Sequence, residues 1–393
     1  MHKAVTNTRG KRDDKDKMCG DHHGDGEVER VTEGVKELAV DDSKDEDETT
    51  VDMPDDLLGL ISDAHCHATD SMSTTHLILS LTLNKICAMA TRLSDQTLVA
   101  LIAREYPNKV IPAFGYHPYF THLLYLDEPP SSPHEHYSAI LHPPPDESFT
   151  ALLRSPQPLS AFLTSLRENL EAHPDALVGE IGIDRAFLLP HPLENPTNGR
   201  WGKLTKHKVR IEHQLAVLRA QLYIAAEMGR AVSVHSVQSH GVLFEFFRKV
   251  FEGHKPPSNR QKKKFRDAPS SNLDPDPEPP YKPPFPTRIC LHSFSGSAEQ
   301  IQQWTKPSIP ALVYFSFSTL INARYERFAE VVRAVPGDRV LVESDVHGVG
   351  EVEEGVRGAV EVVCRVKGWT LEEGVQRLKR NFEAWSGTAK NSA

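Results

Sequence analysis

Residues 57–70 read LLGLISDAHCHATD, a short apolar run that passes without a break into Asp63, His65 and His67. Side chains two apart on an extended strand project to the same side, so a strand leaving LLGLI presents both imidazoles together at its end. That is a chelating arrangement, and Cys66 between them points the other way. The same layout, an apolar run and then a polar turn, recurs in KICAMAT (85–91), KVIPAFG (109–115), ALVGEIG (176–182), AVSVH (231–235), RICLHSF (288–294), ALVYFSF (311–317) and RVLVESD (339–345). Near-continuous apolar strands alternating with helices indicate a parallel sheet covered on both faces. The helices are legible too. IEHQLAVLRAQLYIAAEMG (211–229) has apolar residues at helical spacing with Gly229 as a stop, and Ser297 with Gln300 forms a capping box. Eight strand-like runs predict a closed (β/α)8 TIM barrel, with a doubly wound open α/β sheet as the other architecture of this pattern.

The 393-residue chain carries a formal net charge of −9, and the excess is local. Residues 1–56 hold 18 acidic and 9 basic side chains, while the remaining 36 acids and 36 bases cancel. With DDSKDEDETTVDMPDD at its end and few large apolar residues, this stretch is expected to be a disordered acidic N-terminal tail. Residues 57–393 are expected to form one barrel domain, interrupted by proline-rich insertions at about 127–158 and 253–286. Taking roughly 65 residues of insertion from the 337 of this domain leaves a body near the ~250 residues of a (β/α)8 barrel.

No window approaches eighteen consecutive apolar residues, and the start MHKAVTNTRGKRDDKDK lacks the apolar stretch of a secretory signal. A cytoplasmic or nuclear location without membrane contact is therefore expected. Cys19, Cys66, Cys87, Cys290 and Cys364 have no paired spacing, which argues against a disulfide framework or a zinc finger. The body has no basic excess, so any nucleic acid must be met by a local site and by metal ions.

In a barrel of this kind, functional residues sit at or just after the C-terminal strand ends. Read in order, those ends carry Asp63, His65 and His67; Thr91 or Arg92; His117; Glu180; His235; His292; Ser316 or Ser318; and Glu343 with Asp345. Nitrogen and oxygen donors without thiolates suit Zn²⁺, Mn²⁺, Mg²⁺ or Fe²⁺ rather than a closed structural zinc site. His65, His67, Glu180, His235, His292 and Asp345 are more donors than one catalytic ion with an open position needs. Two ions about 3.5–4 Å apart would use them all and could hold both the attacking and the leaving oxygen of a displacement at phosphorus.

These residues lie in motifs that resemble those of the TatD-type metal-dependent deoxyribonucleases, a branch of the amidohydrolase-like barrels. DAHCH stands for D-x-H-x-H, GYHP for G-x-HP, GEIGID for GEIGLD, VSVHS for the fifth-strand histidine, LHSFSGS for H-C-F-S-G-S and VESD for E-T-D, with a looser match at RNFEAW. The resemblance runs from about Leu57 to Trp385 outside the insertions. It implies two divalent ions (Zn, Mg or Mn), one on His65, His67 and Asp345 and the other on His235 and His292, with Glu180 bridging. Asp345 and Glu180 become the catalytic pair, with Asp345 orienting the attacking oxygen and taking its proton. His117, Tyr119 and Ser295 would face the substrate, and Asp63 and Glu343 would support the ligands from behind.

The implied activity is a two-metal phosphodiester hydrolase acting on DNA, single-stranded or at ends. Three departures bear on substrate: Val237 where many members carry arginine, His347 in SDVHG where the pattern is T-D-x-P, and Tyr119 where others have a second histidine. Two alternatives follow. The same scaffold can hydrolyse a small phosphoester, lactone or amide. It can also serve as an interaction platform, since fungal members of the family are partners of a tetratricopeptide-repeat (TPR) subunit of the anaphase-promoting complex.

Overall fold

A computed structural model describes residues 53–192, 203–254 and 283–388. Eight parallel strands make one sheet: β1 (Ser62–Cys66), β2 (Lys85–Met89), β3 (Val110–Phe114), β4 (Leu177–Asp184), β5 (Val232–Val237), β6 (Arg288–Leu291), β7 (Leu312–Phe317) and β8 (Val340–Val342). They pair in chain order. The last strand returns to the first just beyond their ends, where the Asp345 amide donates to His65 O at 3.0 Å and the His67 amide donates to Val346 O at 2.9 Å. The architecture is the expected TIM barrel.

Around it lie α1 (Leu93–Glu105), α2 (Leu159–Ala172), α3 (Ile211–Glu227), α4 (His240–Val250), α5 (Ala298–Trp304), α6 (Phe328–Ala334) and α7 (Val352–Lys367), followed by α8 (Leu371–Ser386). Ser297 and Gln300 close the expected capping box on α5. Period-two alternation in the strands builds two cores. Ile86, Ala88, Val110, Val178, Val232, Val234, Ile289, Val313, Phe315 and Val340 pack outward under the helices. Cys87, Met89, Ile111, Ala113, Leu177, Ala231, Cys290, Tyr314 and Leu341 form a second cluster with Phe382 and Trp385 of α8. That helix plugs the N-terminal end of the barrel. Asn381 Nδ2 donates to Gly337 O at 3.0 Å and Val340 O at 2.9 Å, and Arg288 Nη1 donates to Trp385 O at 2.9 Å.

The structure corrects the reading of the opening stretch. LLGLI is not the first strand: Asp55–Leu58 is a helical turn with two acids in its first turn, and the strand is the polar motif itself, Ser62–Cys66. The motif can be a fully buried strand because its polar groups find partners on other strands rather than water. The ordered body also reaches into the stretch expected to be tail. Met53 is buried, its carbonyl accepts from Arg357, and that guanidinium also donates to Asp55 Oδ1 at 2.6 Å. Residues 1–52 of the expected tail and 255–282 of the second expected insertion lie outside the described residues.

The segment 127–158, expected to be a proline-rich insertion, contains regular structure. Pro133 opens the helix Pro133–Ile140 at its first turn, where a missing N–H removes nothing, and Ser132 caps it. Leu141 and His142 pair antiparallel with Val209 and Lys208, and Tyr137, Leu141, Leu189 and Val209 bury a small core of their own. The partner strand lies some 65 residues downstream, in a segment without strand-like periodicity.

Candidate metal centre

The inward alternation that fills the barrel with apolar side chains continues towards the C-terminal ends as polar and ionisable groups. Ala231 is followed on the same face by Ser233 and His235, Cys290 by His292, and Leu341 by Glu343 and Asp345. His235 and His292 of this series meet the Glu180 carboxylate, as do the first-strand imidazoles. Its Oε2 lies 3.4 Å from His65 Nε2 and 3.3 Å from His67 Nε2. Asp345 Oδ1 completes that group, 3.7 Å from His65 Nε2 and 3.5 Å from His67 Nε2. The other carboxylate oxygen, Oε1, lies 3.0 Å from His117 Nε2, 2.8 Å from His235 Nδ1 and 2.7 Å from His292 Nε2. Two donor sets thus share one buried carboxylate. His65, His67 and Asp345 form one group able to hold an ion, and His117, Glu180 and His235 form another.

Backbone geometry permits this crowding. Gly182 has φ +149, and a Cβ there would sit 2.1 Å from His235 O, so β4 and β5 approach at the site only because the residue is glycine. Asp63 accepts from the His65 amide at 2.9 Å, the Ser344 amide at 3.0 Å and the Ser344 hydroxyl, which ties β1 to the end of β8. Its burial pushes its pKa up to about 7.

Which nitrogen each imidazole offers is set by its other neighbour. His235 Nε2 donates to Asp184 Oδ2 at 3.0 Å, leaving Nδ1 for the Glu180 side, and His65 Nδ1 contacts Ser233 Oγ at 2.9 Å, leaving Nε2. Nδ1 lies 2.8 Å from a carboxylate oxygen and 3.3 Å from His292 Nε2, so a cation or a proton must stand between them, and the set of nitrogen and oxygen donors fits a divalent ion. Protons would otherwise fill that place. Burial would raise the Glu180 carboxyl, but the imidazoles of His117, His292 and His65 hold it well below the carboxylate range. Burial would lower His235 and His292, yet Asp184 and Glu180 raise the first to about 9, and Glu180 and Glu343 raise the second to about 10. Burial dominates at His117, which falls to about 4.

A sequence profile of TatD-related DNases matches residues 62–387. The chain belongs to the TatD-related DNase family. It is 40% identical over 332 residues to the Cut9-interacting protein scn1 of Schizosaccharomyces pombe, covering 83% of this chain and 98% of that protein. It is 28% identical over 241 residues to the uncharacterized deoxyribonuclease YMR262W of Saccharomyces cerevisiae, covering 61% of this chain and 66% of that one. Among solved structures it shares its fold with the TatD homologue YjjV of Escherichia coli, with a TM-score of 0.52, 18% identity, and coverage of 84% of this chain and 98% of that one.

Within this TatD-family site the residues singled out from sequence occupy different places. His65, His67, Glu180, His235, His292 and Asp345 meet at the mouth. His117, expected to face substrate, packs its Nε2 on the shared carboxylate, inside the donor group. Tyr119 lies edge-on to His117, with ring centroids 4.2 Å apart. Ser295 Oγ meets His240 Nε2 at 3.1 Å. Glu343 accepts from the Ser293 amide at 2.7 Å and the Ser293 hydroxyl at 2.6 Å, and its Oε1 lies 3.7 Å from His292 Nδ1. His347, the family departure, stacks on His67 with centroids 5.0 Å apart and pairs with Asp70 Oδ2 at 2.7 Å.

Three site residues escaped the sequence reading. Asp184 orients His235, Ser233 contacts His65, and Ser293 Oγ lies 3.0 Å from Asp345 Oδ2. Asp184 had a signal, since it sits four residues beyond Glu180, an even spacing that returns it to the same side of β4.

Proposed function

We propose that the protein is a two-metal phosphodiesterase that acts on DNA, single-stranded or at ends. The observation that carries this reading is Glu180, whose two oxygens face separate sets of imidazole nitrogens within 2.7–3.4 Å. His65, His67 and Asp345 would hold one ion, and His235 and His292, with His117 beside them, the other. Divalent ions held there lower the pKa of water and draw charge from phosphoryl oxygens, which suits displacement at phosphorus near neutral pH.

The chain's own residues supply the rest. Burial would raise the Asp345 carboxyl, but His67, His65 and His292 hold it well below the ordinary range, so it is ionised and can orient an attacking water by accepting its hydrogen bond. Ser293 keeps its second oxygen in place at 3.0 Å. Asp184 accepts from His235 Nε2, and Ser233 holds the His65 ring through its Nδ1. A location in the cytoplasm or nucleus belongs to the same reading, and among the described residues no helix is long and apolar enough to cross a membrane.

The test is release of nucleotides from an end-labelled single-stranded oligonucleotide with Mg²⁺, Mn²⁺ or Zn²⁺. Glu180→Ala and Asp345→Asn are each expected to lower the rate at least ~10²-fold with the fold retained by circular dichroism. Undiminished cleavage by folded Asp345→Asn would refute the assignment. Turnover of a generic phosphodiester without cleavage of DNA would move the substrate to a small phosphoester. A second reading, that the barrel also binds a TPR-repeat protein, is favoured by the name of the 40%-identical relative, Cut9-interacting protein scn1. Binding by Asp345→Asn equal to wild type would separate that role from hydrolysis.

A further inference from the structure

Arg92 stands just past the C-terminal end of β2, as the residue before α1, and its guanidinium lies 4.9 Å from the centre of the Phe120 ring. The Phe120 ring is in turn 6.5 Å from that of His117, whose Nε2 meets Glu180 Oε1. On the other flank stands Asp70. Burial would raise its carboxyl, but His347, His67 and Arg92 hold it below the ordinary value, which puts the guanidinium within electrostatic reach. Asp70 pairs with His347, and His347 stacks on His67. Arg92 is therefore bracketed by groups that lead to both donor sets.

Both neighbouring carboxylates are already committed. Asp95 accepts from the Thr91 and Arg92 amides, each at 3.0 Å, and from the Thr91 hydroxyl at 2.7 Å. Arg92 Nε stays 4.0 Å from it, beyond hydrogen-bond distance. Asp70 Oδ2 takes His347 Nδ1 at 2.7 Å. A guanidinium carries several N–H donors in a planar fork that matches a phosphate. Here the Arg92 side chain is 40% exposed, and among the described residues no protein acceptor is hydrogen-bonded to it.

We propose that Arg92 binds a non-scissile phosphate of the substrate strand, the one next to the bond held at the donor sets, and so selects polynucleotides over esters with a single phosphate. The inference deepens the phosphodiesterase reading and rests on it for the bond that is cut. Contact with the Phe120 ring holds the guanidinium in place, and charge-assisted, two-pronged bonds to phosphate are the strong ones. A backbone phosphate held there fixes the strand in register without reading its bases.

The test uses the full chain and a thymidine trinucleotide, beside its two isomers in which one linkage is an uncharged methylphosphonate. Wild type is expected to cleave the natural trinucleotide with a KM about tenfold below that of one isomer, at similar kcat. Arg92→Gln should erase that difference by raising KM for the natural strand, with kcat and the KM of the neutral isomer little changed. Arg92→Lys, which keeps the charge without the fork, should restore part of it. On a longer single strand, the slope of log affinity against log salt should shrink by about 0.7 in Arg92→Gln. Equal weakening of all three trinucleotides, or a preference for the charged linkage that survives in folded Arg92→Gln, would overturn the inference. Fluorescence anisotropy with hydrolysis-resistant phosphorothioate versions separates it from the reading beneath. An Arg92-dependent preference for the charged linkage without any cleavage would uphold the phosphate site and refute the phosphodiesterase reading, whereas cleavage without that preference would do the reverse.

Discussion

Asp184→Asn offers a sharp test of how the donor set is held. In the native protein His235 Nε2 donates to Asp184 Oδ2 at 3.0 Å, which leaves Nδ1 as the nitrogen that a cation on the Glu180 side would take. In the variant the amide oxygen can still accept from the Ala186 and Phe187 amides, so the turn after β4 survives, but the amide nitrogen faces His235 Nε2. Two donors then oppose each other. The imidazole relieves this by moving its proton to Nδ1, 2.8 Å from Glu180 Oε1, where a cation would bind. Loss of such a partner behind a metal-binding histidine typically weakens metal affinity 10–100-fold. Here the upper half of that range is expected, because an acceptor is replaced by a donor, and 30–100-fold corresponds to about 2–2.7 kcal/mol. Competition between the protein and a chromophoric chelator for Zn²⁺ or Mn²⁺ measures it directly. Metal affinity within twofold of wild type, in a folded Asp184→Asn protein, would refute the proposed control of the His235 tautomer.

Protein purified without chelator is expected to carry divalent metal, and His65→Ala and His235→Ala should each reduce the content measured by elemental analysis; equal content in all three would refute the assignment of donors. Burial holds the pKa values of His122 and His213 down to about 4, well below the ~6.5 of an unfolded chain. Between those values the unfolded state binds more protons, so the contribution of these two residues to stability should be constant above about pH 6.5 and fall as pH drops towards 4. The slope of Tm against pH should shrink in the double variant His122→Gln, His213→Gln. Trp385 is fully buried in the barrel plug, and Trp385→Ala should lower stability by about 3–5 kcal/mol in denaturant titration, while metal content stays at the wild-type level because the donors lie at the opposite end.

How much of this was legible beforehand varies by kind of feature. Seven of the eight apolar runs coincide with barrel strands, and their order in the chain is their order in the sheet, because a parallel strand buried on both faces needs a locally apolar sequence. The exception, LLGLI, misled for a physical reason. Apolar character identifies burial but not conformation, and Leu58 and Ile61 are as buried in a helical turn and its exit as they would be in a strand. The true β1, Ser62–Cys66, carries Asp63 and His65 in the interior, which only partners on β4, β5 and β8 make tolerable.

At the site, residue types at strand ends were enough to name candidate donors, and even spacing put His65 with His67 and Glu343 with Asp345. Nothing local could say that His117 joins Glu180 or that Ser293 holds Asp345, because each contact spans at least 50 residues of chain. The same holds for the antiparallel pairing of Leu141 with Val209, which orders a proline-rich stretch that has no strand signal of its own. The sequence by itself determined the barrel and the residue types at its mouth through local periodicity. Only the tertiary structure decided which nitrogen each imidazole presents and which carboxylate stands behind it, because those choices belong to pairs of atoms brought together by closure of the sheet.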